Sequence, residues 1–269
     1  MSGFVSSRGL LLKNHPTREP VDVLFALSEQ LKKDGFCILS DALAAQHLSQ
    51  MRKIVMNLSD RLPNTRSVEH SRHLAGFERF AEFSELFEMI DTNAKLTEFM
   101  DVHFGADSYD SFGLSDITVN RSQHWHTDLL RGRYDSYLED VDPWSPAVGT
   151  CVKALVYLQS GKSLQVVPQS HLAKTPLNDA LLEEMAERNQ VCHIPVSPGD
   201  ILMMDIRCLH RGSTESDMSD SALIDHPKIL VSNVYAPKSS QLRDAMEAGN
   251  RARLEDWDER HLRGFGIKS

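Results

Sequence analysis

The chain has 269 residues, 41% of them hydrophobic and 25% charged, which is enough apolar sequence for one sizeable core. The net charge of −9, the pI near 5.7 and the absence of any lysine–arginine run argue against a nucleic-acid-binding protein. No stretch approaches the ~18 consecutive apolar residues of a membrane span. The opening MSGFVSSRGLLLKNHP lacks the apolar core of a secretion signal. Cys37, Cys151, Cys192 and Cys208 show no short paired spacing. A cytoplasmic protein with reduced, mostly buried thiols and no zinc knuckle is therefore expected.

The first third reads as helical. Val23, Leu24, Leu27 and Leu31 share a face over about 21–33. A short apolar run, FCIL at 36–39, follows Asp34-Gly35 and reads as a strand. Leu48, Met51, Ile54, Val55 and Leu58 mark a second amphipathic helix. A third pattern runs from Ser84, a plausible N-cap, through Leu86, Met89, Ile90, Leu96 and Phe99. The middle then changes character. Short apolar or alternating runs stand at 114–120, 152–159, 164–168, 191–196, 200–206 and 228–235, with Gly161, Pro198-Gly199 and Pro227 as punctuation. That is the signature of an all-β sandwich or barrel, interrupted by a polar helix at about 177–188 and followed by a helix at about 240–262. The expectation is one domain over 1–269: a helical part at about 1–105, a β core at about 106–237, and a terminal helix.

The chemistry concentrates in RSQHWHTDLLRGR, residues 121–133. On a strand, positions i, i+2 and i+4 share a face, so His124, His126 and Asp128 can point the same way. His126-x-Asp128 puts an imidazole nitrogen and a carboxylate oxygen within reach of one ion. Far along the chain, PGDILMMDIRCLHRGST ends a buried strand on His210, a candidate third ligand from a facing strand. Two histidines and one carboxylate on one face of an octahedron leave three open positions, the arrangement of non-heme Fe(II) oxygenases. The competing pair His124-x-His126 is a cupin-type pattern, but no glutamate follows it until Glu139. His124 then supports the ligands from behind or forms part of the pocket wall. Lys228 opens the strand after the 214–227 loop, and a cation there suits the far carboxylate of a dicarboxylate co-substrate.

Taken together, FCILSDAL (36–43), WHTD (125–128), QVVPQSH (165–171), PGDILMMDIRCLHRGS (198–213) and KILVSNVYAP (228–237) resemble, in order and over about 200 residues, the phytanoyl-CoA dioxygenase-like branch of the Fe(II)/2-oxoglutarate-dependent oxygenases. The resemblance implies a mainly β fold with surrounding helices: a double-stranded β-helix, the jelly roll shared with cupins. It implies Fe(II) held by His126, Asp128 and His210, with 2-oxoglutarate as co-substrate and O2 as oxidant. Lys228 takes the place of the basic residue, usually arginine, that binds the C5 carboxylate. Ser213 adds a hydroxyl, and Lys153 stands where the family often places a co-substrate contact, pointing inward in that role or outward as a lysine on an edge strand. Two departures stand out. Gln169 replaces a common glycine, so that turn is expected to differ. The 214–227 loop is longer than usual, which leaves Arg211 and Lys153 as fallback anchors for Lys228.

Halogenases of this broad class carry a small residue where Asp128 stands, so the resemblance implies hydroxylation, desaturation or ring formation of a small molecule. The loop 129–146 reads as a segment over the pocket: a surface loop whose Arg131 and Arg133 pair with Asp135, Glu139 and Asp140, or one in which they meet a substrate anion while Tyr134, Tyr137 and Trp144 stack on its apolar body. Arg72 and Arg211 complete the candidate substrate contacts, in a monomer or homodimer without nucleic-acid or membrane partners. Two rival readings remain at this point: a cupin-like metalloenzyme ligating through His124 without 2-oxoglutarate, and a non-catalytic jelly roll whose histidines fill a polar core.

Overall fold

The computed structural model describes residues 20–188 and 190–262. The opening sixteen residues read above, and both extreme ends of the expected domain, lie outside the described residues.

In chain order come α1 (Val21–Asp34), β1 (Phe36–Leu39), α2 (Ala45–Leu58), β2 (Arg72–Ala75), α3 (Ser84–Asp91), α4 (Ala94–Phe104), β3 (Tyr109–Ser111), β4 (Asp116–Val119) and β5 (Val152–Tyr157). Then follow β6 (Gly161–Val166), α5 (Asp179–Glu187), β7 (Cys192–Val196), β8 (Ile201–Asp205), β9 (His210–Arg211), α6 (Glu215–Met218), α7 (Ala222–Asp225), β10 (Ile229–Pro237) and α8 (Gln241–Trp257). No helix among the described residues is long and apolar enough to cross a membrane. The four cysteines are free; Cys37, Cys151 and Cys208 are buried and Cys192 is exposed.

Local chemistry explains the boundaries. Gly35 ends α1 with φ 86°, its N–H closing onto Leu31 O. A Cβ there would sit 2.2 Å from Cys208 Sγ, so only glycine lets α1 turn into β1 against β9's lead-in. The third helical pattern is two helices, not one. Asn93 breaks it, its side chain accepting from Leu96 N at 3.0 Å to cap α4. Ser84 is not a cap but the first residue of α3, its hydroxyl donating to Ala81 O. Strands β2 and β3 escaped the sequence reading because they are short and polar in part. The terminal helix stops at Trp257 and loosens into a wider turn over Asp258–Leu262.

Two antiparallel sheets form the jelly roll. The large one runs β1-β8-β5-β10-β4-β2, with β3 on the far end of β10; the small one runs β7-β6-β9. The side chains of the large sheet alternate between two environments. On the outer face, Leu74, Ile117, Ala154, Val156, Met203 and Val231 pack against Leu24, Leu31, Met51, Val55 and Phe99 of the front helices. Each such burial contributes about 1.5–3 kcal/mol. On the inner face, Leu155, Tyr157, Leu202 and Met204 meet Val166, Ile194 and Val196 of the small sheet. The site lies on this same inner face: Met204 pairs with Lys153, which reaches Asp128, and Val166 pairs with His210.

Candidate metal centre

The turn between β8 and β9 is set by a buried ion pair. Arg207 donates from Nε and Nη2 to the two oxygens of Asp205, at 2.8 and 2.7 Å, and from Nη1 to Pro143 O at 3.0 Å. Thr150 donates to the same carboxylate. Cys208 N bonds Asp205 O, and the chain re-enters as β9 with His210 turned inward. The segment before the 129–146 loop is stitched alongside: His126 and His210 exchange both backbone hydrogen bonds at 2.9 Å, and Asp128 N bonds Ile206 O at 2.8 Å. The ladder therefore brings together residues about eighty positions apart.

His126, Asp128 and His210 each offer one donor atom, and these atoms lie within 4.8 Å of one another. His126 Nε2 is 3.7 Å from Asp128 Oδ1, and His210 Nε2 is 3.8 Å from Oδ2. Each imidazole is oriented from behind: Nδ1 of His126 meets His124 O at 2.6 Å, and Nδ1 of His210 meets Cys208 O at 3.0 Å. With the proton on Nδ1, both Nε2 lone pairs converge beside the carboxylate. Burial, then the neighbouring His210, holds His126 well below its usual pKa; burial also lowers His210. Burial pushes Asp128 up, but Lys153 and the two histidines outweigh it and hold the carboxyl below the usual range. Neutral imidazoles and an ionised carboxylate are the state a divalent cation binds. Asp128 Oδ2 is buried without a hydrogen-bond partner. A buried carboxylate oxygen left open between two imidazole lone pairs fits a metal ion.

Lys228 Nζ lies on the inner side over the Tyr157 ring, at 5.8 Å from its centroid, and donates to Ser163 Oγ at 2.5 Å and Ser213 Oγ at 2.6 Å. No carboxylate pairs with it among the described residues. Burial pushes it down to about 8, against a partial pull from Asp217. A half-buried ammonium with two hydroxyls and no counter-ion can receive a carboxylate. Ser163 was not anticipated: nothing in GKSLQV marks one inward hydroxyl. Lys153 does point inward, 3.1 Å from Asp128 Oδ1.

The other expected residues divide. His124 is exposed; its backbone carbonyl, not its ring, serves the centre. Arg72 turns its guanidinium onto Glu69 O and Ser71 O, because β2 alternates and presents His73, not Arg72, to the inner face. Arg211, next to inward-facing His210, points outward, over the Trp125 ring and onto Gln165 and Glu183, so it is no fallback anchor. Arg133 is taken by Asp256 of α8. Trp144 packs with Leu129 and Leu130 under the loop, its indole crossed by Lys174. Arg131 is exposed, yet close enough to act electrostatically on both His126 and His210. The loop itself is held on α8 by Tyr134–Asp256 and by Leu130 against Gly249.

A jelly roll with a 2-His-1-carboxylate cluster on its inner face defines a non-heme oxygenase scaffold. The phytanoyl-CoA dioxygenase (PhyH) family matches residues 31–218, and the chain belongs to that family of Fe(II)/2-oxoglutarate-dependent oxygenases. No curated protein matches the sequence. Among solved structures, it is similar to the epimerase SnoN of nogalamycin biosynthesis in complex with Fe3+, alpha ketoglutarate and nogalamycin RO, at 17% identity, 80% of this chain, 84% of that chain and TM-score 0.60. EctD from S. alaskensis with 2-oxoglutarate and 5-hydroxyectoine shares 18% over 79% and 76% of the chains, with TM-score 0.56. HygX from Streptomyces hygroscopicus with nickel, 2-oxoglutarate and hygromycin B shares 16% over 79% and 87%, with TM-score 0.56. At these identities the likeness is one of fold.

Proposed function

We propose that this oxygenase hydroxylates a C–H bond of a small-molecule substrate, with His126, Asp128 and His210 holding the metal and Lys228 holding the co-substrate. Bound there, Fe(II) with 2-oxoglutarate and O2 supplies the oxidation: one oxygen atom enters the substrate as hydroxyl, the other enters succinate, and CO2 leaves. The chain's own residues do the placing. His124 O and Cys208 O fix the two imidazoles. Lys228, Ser213 and Ser163 receive the C5 carboxylate of 2-oxoglutarate. Lys153 sits beside Asp128, where a cation stabilises the anionic ligand and the co-substrate's C1 carboxylate. The inner apolar wall and the 129–146 loop exclude water from the reacting carbon.

One observation carries this reading: a half-buried lysine with two hydroxyl partners and no counter-ion stands over the ring of Tyr157, a residue on which Asp128 of the three-donor cluster acts electrostatically. A cupin-like enzyme without 2-oxoglutarate has no use for that lysine, and a non-catalytic jelly roll has no use for the open Asp128 oxygen. Asp128 also supplies the carboxylate that a halogenase lacks.

Anaerobic titration of the Fe(II)-loaded protein with 2-oxoglutarate tests it. The expected result is a weak visible charge-transfer band that is lost in Asp128→Ala and weakened in Lys228→Ala. A folded, iron-bound protein that shows no band overturns the proposal.

A further inference from the structure

The outer side of the large sheet carries a feature that the metal chemistry does not use. Near the end of β10 a cavity of about 670 Å³ opens between α4 and β3. Val234 of β10 pairs with Lys153 and shares its inner face; Tyr235, one residue on, turns to the outer layer. Tyr235, Leu96 and Met100, all buried, line the cavity's floor. Its walls carry four carboxylates, Asp91, Asp101, Asp107 and Asp110, and one cation, Lys238. Asp110 is committed, to Lys238 at 3.5 Å and to Arg243 at 3.8 Å. Asp91, Asp101 and Asp107 have no cation within ion-pair distance among the described residues. Asp101 accepts from the Tyr109 hydroxyl at 3.2 Å, and the Tyr109 ring stands edge-on to that of Tyr235, with centroids 6.5 Å apart.

The Tyr235 hydroxyl is the independent sign of a ligand. The residue is 3% exposed, and its oxygen is buried with no hydrogen-bond partner. Asp91 is near enough to act on it electrostatically, yet the two do not meet at hydrogen-bonding geometry. Burial raises the pKa of Asp91, the response of a carboxylate without a counter-charge. An open buried hydroxyl among uncommitted carboxylates favours a ligand that brings both N–H donors and positive charge.

The spacing decides which cation. Among the described residues, the one set of three His, Cys, Asp or Glu donors within 4.8 Å of one another is the metal centre. The carboxylates of this cavity do not converge on a point, so a bare divalent ion finds no ligand shell there. They are spread around a space sized for an organic molecule, over two tyrosine rings and two apolar side chains. We infer that this cavity binds an aliphatic di- or polyamine, its ammonium groups paired with Asp91 and Asp101 and donating to the Tyr235 hydroxyl, its methylenes on Leu96 and Met100. The site stands across the sheet from the metal and does not depend on how 2-oxoglutarate is held.

The test titrates the full-length protein by calorimetry, at fixed ionic strength, with 1,5-diaminopentane, spermidine, pentylamine, 1,5-pentanediol and magnesium chloride. Diaminopentane or spermidine is expected to bind at one site per chain, at least about tenfold tighter than pentylamine or the diol. Whichever of the two binds tighter sets the length of the ligand. Asp91→Asn, Asp101→Asn and Tyr235→Phe are each expected to weaken that binding by about three- to tenfold. The thermal stabilisation by Ni(II) with 2-oxoglutarate should stay unchanged in all three. No saturable amine binding, or displacement of the amine by magnesium at equal affinity, would reduce the cavity to an acidic surface and overturn the inference. An affinity unaltered in both Asp101→Asn and Tyr235→Phe would place the amine elsewhere and overturn it as well.

Discussion

The two faces of the large sheet are built from the same strands yet live in opposite environments. Ala154 and Val156 of β5 face the front helices; Lys153, one residue away, faces Asp128. Ile117 of β4 joins the apolar layer, while Asp116 beside it bonds His73 across the inner face. The outer face holds the fold by burial of area, which is tolerant of detail. The inner polar groups depend on individual partners, each of which orients another. The difference teaches where a substitution acts: in the outer core it changes stability, around the metal it changes co-substrate binding.

The sharpest break is Asp128→Ala. Metal affinity is expected to fall by more than about a hundredfold, since a ligand is lost and not merely an orienting partner. Wild-type protein should gain thermal stability on adding Fe(II) or Ni(II) while the variant gains none; equal gains in both would show that Asp128 is not a ligand. On the outer face, Phe99→Ala, at a fully buried position, is expected to cost about 3–5 kcal/mol in chemical denaturation. The folded fraction should still bind 2-oxoglutarate normally, and a large change in that affinity would contradict the separation of the two faces.

Lys228→Ala is expected to weaken 2-oxoglutarate binding by about tenfold to a hundredfold, equivalent to ~1.4–2.8 kcal/mol, with metal affinity unaltered. The same lysine predicts a pH dependence. Its free-protein pKa lies near 8, lowered by burial, and only the ammonium form attracts a carboxylate. Affinity for 2-oxoglutarate should therefore be full below about pH 8 and decline above it. Lys228→Arg should flatten that profile, because guanidinium stays charged. A wild-type profile flat to pH 10 would remove Lys228 from the co-substrate site.

The smallest effect concerns the turn at Gln169. Its φ of 64° is the left-handed conformation that glycine adopts most readily. His171 just beyond still reaches Lys32 O on α1 at 2.9 Å. Gln169→Gly should stabilise the protein by at most about 1 kcal/mol, because the side chain pays a steric penalty there. A loss of stability would mean that the Gln169 side chain contributes contacts that outweigh the backbone strain.

By itself the sequence determined the elements whose periodicity is long or whose apolar run is continuous: α1, α2, β1, β5, β8 and β10 stand where their patterns place them. It also singled out the metal cluster, because HxD and a strand ending in histidine are local patterns, and Lys228, because a cation opening a buried strand is conspicuous. Only the tertiary structure decided which way isolated polar side chains turn. Arg72 and His73 are neighbours in sequence, and strand alternation alone sends one to a loop and the other to the pocket. Arg133 and Arg131 look equivalent in LLRGR, but Asp256, more than a hundred residues away, captures the first and leaves the second free. Ser163 carried no local signal, since a lone serine acquires its role from a partner, here Lys228, that meets it only when the two sheets close on one another.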